Sequence, residues 1–322
     1  MTTSEQMPAR LDLSIIIPVY NESSGVISCW KAITETLSKS SINYEIIFVD
    51  DGSEDDSLNR LLSINDNKVH VLKLTHNVGQ QRAMFTALGH CRGATVITYD
   101  SDLQFAPECI LELHQQISSG YDIAGGIRIA RKDGFWQNRL PSMIGQYLIN
   151  KALGIRQQDF GAVKAYSFAL VQRIIRTARE PIIIPATAYV ISRNFIEIPV
   201  QHQERKEGVS KWSTLKRMEL YFDIYTLYAD RPFAWIMLIG FGCFFLGVLL
   251  GFGILLYKLF VQPHFSGVII FFDVFLLIFG LHFVSLSLIG EFVVRIHRKR
   301  EQHETNLIET HYTGSRLTET AP

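Results

Sequence analysis

Between residues 13 and 128 the hydrophobic positions form short continuous runs separated by amphipathic stretches. The runs predict five strands, which are Leu13–Ile17, Tyr44–Val49, Val69–Leu74, Ala94–Tyr99 and Tyr121–Gly125. The stretches between them predict four helices, which are Glu22–Ser38, Asp55–Ile64, Gln80–Cys91 and Pro107–Ser118. Strands that alternate with helices in this way are typical of a parallel sheet covered on both faces. The pattern therefore predicts an α/β domain with a mostly parallel sheet.

Two longer apolar runs follow near the C-terminal end. The first runs from Pro232 to Tyr257, 26 residues without Asp, Glu, Lys or Arg, and the second from Val268 to Gly290, interrupted only by Asp273 and His282. As a helix the first run would be roughly 39 Å long, enough to cross a hydrocarbon layer of roughly 30 Å. The runs predict a two-helix transmembrane hairpin, and a pair of buried core helices is the alternative. The roles of Asp273 and His282 stay open.

Basic residues flank the predicted hairpin on both sides, and the connecting segment 261–267 contains no Lys or Arg. The flanking residues are Lys211, Lys216, Arg217 and Arg231 before the hairpin, and Arg295, Arg298, Lys299 and Arg300 after it. Because positively charged flanks stay on the cytoplasmic side, we expect the N-terminal domain and both termini to be cytoplasmic. The polar first residues also lead us to expect no cleaved signal peptide.

These patterns divide the chain into six predicted segments. They are a polar tail (1–12), the α/β domain (13–209), a juxtamembrane amphipathic helix (210–231), transmembrane helices at 232–260 and 267–291, and a cytoplasmic tail (292–322). In the juxtamembrane segment apolar residues such as Trp212, Leu215 and Met218 recur every three or four positions. Such a helix lies on a membrane surface or packs on its own domain, and both interpretations stay open.

Composition and charge exclude several classes of function. The 48% hydrophobic content excludes a disordered chain, and the balance of 31 basic against 31 acidic residues disfavours a nucleic-acid-binding protein. Four cysteines without CxxC spacing indicate neither a disulfide framework nor a zinc site. The motifs GxGxxG and GxxxxGK[ST] do not occur, so a nicotinamide enzyme and a P-loop NTPase are disfavoured.

Clusters of polar residues follow four of the predicted strands, each at the strand's carboxyl end. The clusters are Pro18-Val19-Tyr20-Asn21-Glu22, Asp50-Asp51-Gly52-Ser53, His76-Asn77-Val78-Gly79 and Asp100-Ser101-Asp102-Leu103-Gln104. Because open α/β sheets bind ligands at this edge, we expect a ligand site here. The two acids of the last cluster suit a hard cation such as Mg²⁺ or Mn²⁺, which takes oxygen ligands from carboxylates and phosphates.

Four motifs at these strand ends resemble those of inverting family-2 glycosyltransferases with the GT-A fold, a Rossmann-like α/β fold. They are Ile17-Pro18-Val19-Tyr20-Asn21-Glu22, Val49-Asp50-Asp51-Gly52-Ser53, Asn77-Val78-Gly79-Gln80 and Asp100-Ser101-Asp102-Leu103-Gln104. The chain is more closely similar to the polyprenyl-phosphate glycosyltransferases, a dolichol-phosphate mannosyltransferase-like group, and within it to the bacterial undecaprenyl-phosphate 4-deoxy-4-formamido-L-arabinose transferases. The closer likeness rests on Asp159-Phe160-Gly161, Ala165-Tyr166, Glu197-Ile198-Pro199-Val200 and the run Glu204–Trp212, followed by the two predicted spans. It covers nearly the whole chain.

The resemblance implies roles for particular residues. The nucleotide base and ribose would be lined by Pro18, Tyr20, Glu22, Val49 and Asp51. The divalent metal on the donor diphosphate would be held by Asp100, Asp102 and Gln104, with the backbone of Ser101 contacting the nucleotide. The other catalytic candidates are Arg128 and Arg139 near the phosphates, Asp159 near the reacting centre, and the basic residues Arg205 and Lys211.

The reaction implied is transfer of a sugar from a nucleotide sugar, expected to be UDP-linked, to undecaprenyl or another polyprenyl phosphate at the bacterial inner membrane. By resemblance the sugar is 4-deoxy-4-formamido-L-arabinose, for lipid A modification within lipopolysaccharide biosynthesis. A phosphate monoester is largely dianionic at pH 7 and needs less help from a general base than an alcohol would. Asp159 would orient the acceptor or take a proton. The expected partners are the donor, the lipid acceptor and the bilayer, without nucleic acid, and we expect a homo-oligomer.

The sequence also departs from the pattern of this group. Ser101 replaces the usual Ala, Phe105-Ala106-Pro107 replaces Asn/Asp-Pro-Pro, Trp212 replaces Tyr, and Ala162 stands where arabinose-type enzymes usually have Cys. The last departure keeps open a glucosyl-, mannosyl- or N-acetylhexosaminyltransferase for O-antigen or another cell-surface glycan. A processive polysaccharide synthase is disfavoured because no Gln-x-x-Arg-Trp motif occurs. An inactive membrane scaffold is the alternative of another class, and the intact acidic cluster disfavours it.

Overall fold

The computed structural model describes residues 11–129, 140–160, 162–178, 182–201, 214–229, 232–260, 267–299, 308–313 and 316–320. The chain divides into two compact units. The first contains Met1–Tyr221 together with Gln302–Pro322, and the second contains Phe222–Glu301.

The strands of the first unit form one mixed sheet. They are β1 (Leu11–Val19), β2 (Tyr44–Asp50), β3 (Val69–Leu74), β4 (Gly93–Thr98), β5 (Ile123–Ile129), β6 (Lys164–Ser167), β7 (Phe195–Gln201), β8 (Ile308–Thr313) and β9 (Arg316–Thr320). Within the described residues the strand order is β7-β5-β6-β4-β1-β2-β3-β8-β9.

Helices connect these strands and make up most of the second unit. The helices of the first unit are α1 (Val26–Ser38), α2 (Ser57–Leu62), α3 (Gln80–Leu88), α4 (Cys109–Ser118), α5 (Leu140–Leu153), α6 (Phe168–Thr177) and α7 (Ile184–Ile191). The next helix, α8 (Thr214–Tyr228), begins in the first unit and ends in the second. The second unit continues with α9 (Ala234–Phe260) and α10 (Gly267–Lys299).

The centre of the sheet is parallel, as the apolar runs predicted. β1 pairs in parallel with β2 and with β4, and β2 pairs in parallel with β3. Every residue of β2 is buried, and the core around it contains Ile15, Phe48, Val71 and Ile97. Strands buried on both faces become continuous apolar runs in the sequence, and parallel pairing brings their carboxyl ends to one edge.

Beyond this centre the sheet contains antiparallel strands that the sequence pattern did not predict. β6 lies between β4 and β5 and is antiparallel to both, while β5 and β7 are parallel. On the other side β8 pairs antiparallel with β3, and β9 pairs antiparallel with β8. The segment predicted as a cytoplasmic tail therefore contains the end of α10 and two strands of the sheet.

Helix α8 packs on α5 through the aromatic ring of Tyr221. The ring of Tyr221, in α8, occupies the space that a Cβ atom on Gly145 would fill. A side chain at residue 145 would therefore displace the ring. Of the segment predicted as the juxtamembrane helix, 210–213 and 230–231 lie outside the described residues.

The two helices of the second unit pair closely and are long and apolar enough to cross a membrane. Each has a mean hydropathy of 2.4 in its most apolar stretch, and little of that stretch is buried in the protein. They approach at Gly280, where an added Cβ would lie 2.7 Å from the carbonyl oxygen of Gly240. Next to this contact, just before α9 begins, the carbonyl of Phe233 accepts from the hydroxyl of Ser287 at 2.8 Å. Such close approach between glycines is typical of helices packed in membranes.

Candidate functional site

The loops after β1 and β2 are joined by hydrogen bonds at the carboxyl edge of the sheet. The backbone N–H of Asn21 donates to Ser53 Oγ at 3.0 Å, and Asn21 Oδ1 accepts from the N–H of Glu54 at 2.9 Å. The N–H of Glu22 donates to Ser57 Oγ at 2.9 Å. These bonds fix the two loops against each other.

The carboxylate of Asp51 joins the loop after β2 to the loop after β3. Its Oδ1 accepts from the N–H of Val78 at 2.7 Å, and its Oδ2 accepts from the N–H of Gly79 at 3.0 Å. Burial raises the pKa of Asp51, and these two N–H groups oppose the rise because they stabilise the charged form. The loops also approach directly, since a Cβ on Gly52 would lie 2.7 Å from the nitrogen of Asn77.

The loop after β4 carries the two predicted metal-binding acids. Gln80, at the start of α3, donates from Nε2 to Oδ1 of Asp100 at 2.8 Å. Asp102 Oδ1 accepts from the N–H of Gln104 at 3.2 Å, which turns the loop back on itself. The hydroxyl of the buried Tyr99 donates to the carbonyl of Phe105 and closes this turn.

This acidic loop also lies next to the loop after β1. A Cβ on Gly25 would lie 3.7 Å from the carbonyl oxygen of Ser101. All four predicted clusters are thus connected at one edge of the sheet. Burial and then the charges of Asp102 and Asp100 raise the pKa of the Cys29 thiol in α1.

The donor set of the acidic loop fits a hard divalent cation. Asp100, Asp102 and Gln104 offer two carboxylates and one amide oxygen within five residues, all half-buried. In the described part of the chain, no three His, Cys, Asp or Glu side chains gather as a complete metal site. Mg²⁺ and Mn²⁺ do not require such a cage, since they are commonly held by one or two carboxylates together with substrate phosphates.

Asp50, at the carboxyl edge of the sheet, is buried, and one of its carboxylate oxygens makes no hydrogen bond with the described residues. Asp50 is 1% exposed, and its Oδ1 accepts from the N–H of Ser53 at 3.3 Å. Its Oδ2 has no hydrogen-bond partner among the described residues. Burial raises the pKa of Asp50. Asp50 has no separate role in the pattern of the sequence, and its neighbour Asp51 makes the contacts between the loops.

Arg128 and Asp159, predicted separately, form one ion pair. Arg128 Nε lies 2.7 Å from Asp159 Oδ2, and a terminal guanidinium nitrogen donates to Asp159 Oδ1 at 2.8 Å. The pair is bidentate and largely buried, the geometry in which charge-assisted hydrogen bonds are strongest. β5 positions the arginine, and the segment before β6 positions the aspartate.

The remaining predicted residues are placed as follows. Pro18 and Val49 pair across β1 and β2, with Val49 buried and Pro18 half-buried. Tyr20 and Glu22 are half-buried in the loop after β1. Three further predicted residues, Arg139, Arg205 and Lys211, lie outside the described residues.

The structure also adds residues that the sequence analysis gave no role in the site. Gln80 contacts the acidic loop, and Lys164 and Glu197 contact the segment that contains Asp159. Lys164 carried a signal, because a lysine within the apolar stretch Val163–Ala165 is unusual in a buried strand. Gln80 ends the motif Asn77-Val78-Gly79-Gln80, which contributed to the family resemblance without a role for Gln80 itself.

Comparison with known proteins shows what the chain is similar to. The family model described as Glycosyl transferase family 2 matches residues 14–175. An undecaprenyl-phosphate 4-deoxy-4-formamido-L-arabinose transferase of Sodalis glossinidius (strain morsitans) is 32% identical over 297 residues, which covers 90% of this chain and 91% of that protein. A transferase with the same name from Pseudomonas fluorescens (strain SBW25) is 32% identical over 291 residues, covering 88% and 85%.

A solved structure shows the same fold. Glucosyl-3-phosphoglycerate synthase from Mycobacterium tuberculosis, in complex with Mn²⁺, uridine diphosphate and phosphoglyceric acid, is 16% identical, with a TM-score of 0.50. The match covers 67% of this chain and 76% of that chain.

Proposed function

We propose that this chain, a glycosyltransferase that belongs to glycosyl transferase family 2, transfers a sugar from a nucleotide sugar to undecaprenyl phosphate or a related polyprenyl phosphate. The observation that carries the proposal is the 32% identity to an undecaprenyl-phosphate transferase along 90% of the chain. The sugar in that relative's name, 4-deoxy-4-formamido-L-arabinose, is the one we propose here. The donor is proposed to be UDP-linked and the reaction to invert the anomeric centre.

The donor half of the proposed site is the carboxyl edge of the parallel strands. We place the nucleotide base and ribose against Pro18, Tyr20, Glu22, Val49 and Asp51, and the backbone of Ser101. Asp51 can hold its place in this pocket because two backbone N–H groups already fix its carboxylate. Pre-formed loops reduce the entropy lost when a nucleotide binds.

Asp100, Asp102 and Gln104 would hold Mg²⁺ or Mn²⁺ at the donor diphosphate. When bound, the cation would neutralise charge that develops on the leaving diphosphate. Gln80 keeps the carboxylate of Asp100 oriented, through the bond to Oδ1. The turn closed by Tyr99 and Phe105 keeps the acidic loop in shape.

The acceptor half of the site must bring a second anion next to the donor. We assign this task to Arg128, Arg139, Arg205 and Lys211, whose positive charges would screen the acceptor phosphate from the donor diphosphate. Because that phosphate is largely dianionic at pH 7, it needs little help from a base. Asp159 would then act by orienting Arg128 and the acceptor.

Two apolar helices support a membrane-bound acceptor. α9 and α10 are long and apolar enough to cross a bilayer. The tail of a polyprenyl phosphate stays in the bilayer, so anchoring the enzyme there raises the effective concentration of enzyme and acceptor. We propose the cytoplasmic face of the bacterial inner membrane as the location. The homo-oligomer and the orientation of the termini stay predictions.

A transfer assay tests this function. Purified full-length chain is incubated with undecaprenyl phosphate and a panel of radiolabelled UDP-sugars, with Mg²⁺ or Mn²⁺. Label is expected in the organic-soluble lipid, with UDP-4-deoxy-4-formamido-L-arabinose the best donor. Transfer of another sugar to the lipid would keep the acceptor and overturn the sugar. Label that passes only to a soluble acceptor would overturn the proposed function.

A further inference from the structure

Lys164 is a buried lysine beside the Arg128–Asp159 pair. It lies in β6 and is 1% exposed. Its Nζ donates to the backbone carbonyl of Asp159 at 2.9 Å and lies 5.8 Å from the centre of the Tyr189 ring. A buried charge lowers stability unless it is paired and hydrogen-bonded, so its presence here needs a reason.

Glu197, in β7, accepts hydrogen bonds from two backbone N–H groups of the same segment. Its Oε2 accepts from the N–H of Gln158 at 2.8 Å, and its Oε1 accepts from the N–H of Asp159 at 3.2 Å. Asp159 is therefore fixed at three points: its N–H by Glu197, its carbonyl by Lys164 and its side chain by Arg128.

The two charged residues stand together on one side of β5. A Cβ on Gly125 would lie 3.5 Å from Lys164 Nζ and 3.7 Å from Glu197 Cγ. Both side chains therefore lie at van der Waals distance from the same point on β5. Four charges thus alternate in sign through the cluster, from Arg128 to Asp159 to Lys164 to Glu197.

A purely structural role does not require these charges. Well-packed apolar residues that replace a buried ion pair often leave stability unchanged or improve it. What apolar residues cannot supply is a fixed position for the backbone of Asp159, because they offer it no hydrogen bonds. Geometry, rather than stability, is therefore what the charges of Lys164 and Glu197 provide.

We propose that the buried Lys164 and the half-buried Glu197 form a brace that positions Asp159, and through it Arg128, for the acceptor step of the reaction. The inference rests on the proposed function, since that places the ion pair beside the acceptor phosphate. Neither brace residue touches substrate, so both are positioning residues. Their charges should affect kcat, the rate at which bound acceptor reacts. They should not affect the proposed nucleotide pocket at the ends of β1, β2 and β4.

The charge of Lys164 gives the brace a measurable pH dependence. Burial lowers its pKa to about 8, while Asp159 and Glu197 oppose the shift and Arg128 adds to it. Burial raises the pKa of the facing Tyr189 and Tyr166 hydroxyls, which therefore stay neutral. The ammonium is present below about pH 8 and is lost above it. Turnover should therefore fall as the pH rises through about 8, because the neutral Lys164 amine bonds the Asp159 carbonyl more weakly than the ammonium does.

The test uses full-length Lys164→Met, Lys164→Arg and Glu197→Gln, assayed with the donor and acceptor that the wild-type chain uses. Lys164→Met is expected to lower kcat about 10- to 100-fold, with KM for the nucleotide sugar within about threefold of wild type. Lys164→Arg, whose guanidinium does not titrate, should recover most of kcat and abolish the fall near pH 8. Glu197→Gln should lower kcat in the same way, whereas Glu35→Gln, on the exposed face of α1, should not.

A kcat of Lys164→Met within about twofold of wild type, or an unchanged alkaline fall in Lys164→Arg, would overturn the brace. If Lys164→Met does not fold, Glu197→Gln and the pH profile of Lys164→Arg decide the question. Wild-type transfer to a different acceptor would count against the proposed function alone. The kinetics of the variants on that acceptor still test the brace.

Discussion

At the scale of the residue, the site depends on carboxylates that serve the fold as well as the ligand. Asp51 bonds two N–H groups of the next loop, and Asp159 bonds Arg128. The position of Asp51 after a strand could be predicted from the sequence alone, because strand ends are visible in the apolar pattern. Asp159 lies before β6 rather than after a strand, and only the family resemblance indicated it. The partners of both acids could not be predicted, since Val78 lies 27 residues away from Asp51 and Asp159 lies 31 residues away from Arg128.

Asp102→Asn tests the acidic loop. The neutral amide is a poorer ligand for a hard cation, so we expect metal-dependent turnover to fall at least about 100-fold while the protein still folds. The measurement is initial rate against Mg²⁺ or Mn²⁺ concentration, with EDTA as the metal-free reference. Asp56→Asn is the control, because Asp56 is exposed and its carboxylate contacts Arg60 and Asn59 in the adjacent helix α2. Near-normal rates in Asp102→Asn would refute the metal assignment.

Gly52→Ala tests the close approach of the loops after β2 and β3. Gly52 has φ +67°, and a Cβ there would lie 2.7 Å from the nitrogen of Asn77. Backbone strain and overpacking together should lower the free energy of unfolding by about 2–4 kcal/mol. Gly89→Ala is the control, since its φ is −67° and its nearest contact would be 3.9 Å away. Denaturant unfolding in detergent measures both, and equal stabilities would contradict the account.

At the scale of the element, some strands and helices follow from the local pattern of apolar residues, and others form only because they pair with a distant strand. The five predicted strands and four predicted helices are all present, with ends that differ by a few residues. β6 was missed because four residues are too few for a pattern. β8 and β9 were missed because their sequence is polar, and only pairing with the distant β3 makes them strands.

Gly280→Leu tests the packing of α9 against α10. A Cβ at Gly280 would lie 2.6 Å from the nitrogen of Phe244, so a larger side chain must separate the helices. We expect a loss of about 1–3 kcal/mol or more in stability, together with reduced transfer to the lipid acceptor. Gly253→Leu is the matched control in α9, because nothing lies within 4 Å of its Cβ position. Melting curves of the detergent-solubilised variants should separate the two, and similar melting temperatures would count against the packing.

At the scale of the whole molecule, the chain leaves the first unit at α8 and returns to it after α10. β8 and β9 belong to the same compact unit as the parallel strands, although the two apolar helices lie between them in sequence. The apolar runs predicted the two helices and the strand ends predicted the site. The return of the chain to the edge of β3 depends on contacts between segments more than 200 residues apart, such as His70 with Thr313. The local sequence pattern around either residue could not predict such a contact.

The most direct test of the account is a cryo-EM map of the full-length chain in a lipid nanodisc with UDP and Mn²⁺. We predict uridine against Pro18, Tyr20 and Val49, the cation between the diphosphate and the carboxylates of Asp100 and Asp102, and α9 and α10 inside the lipid disc. Density for the nucleotide or the cation away from these carboxylates, or the two helices outside the lipid, would contradict it.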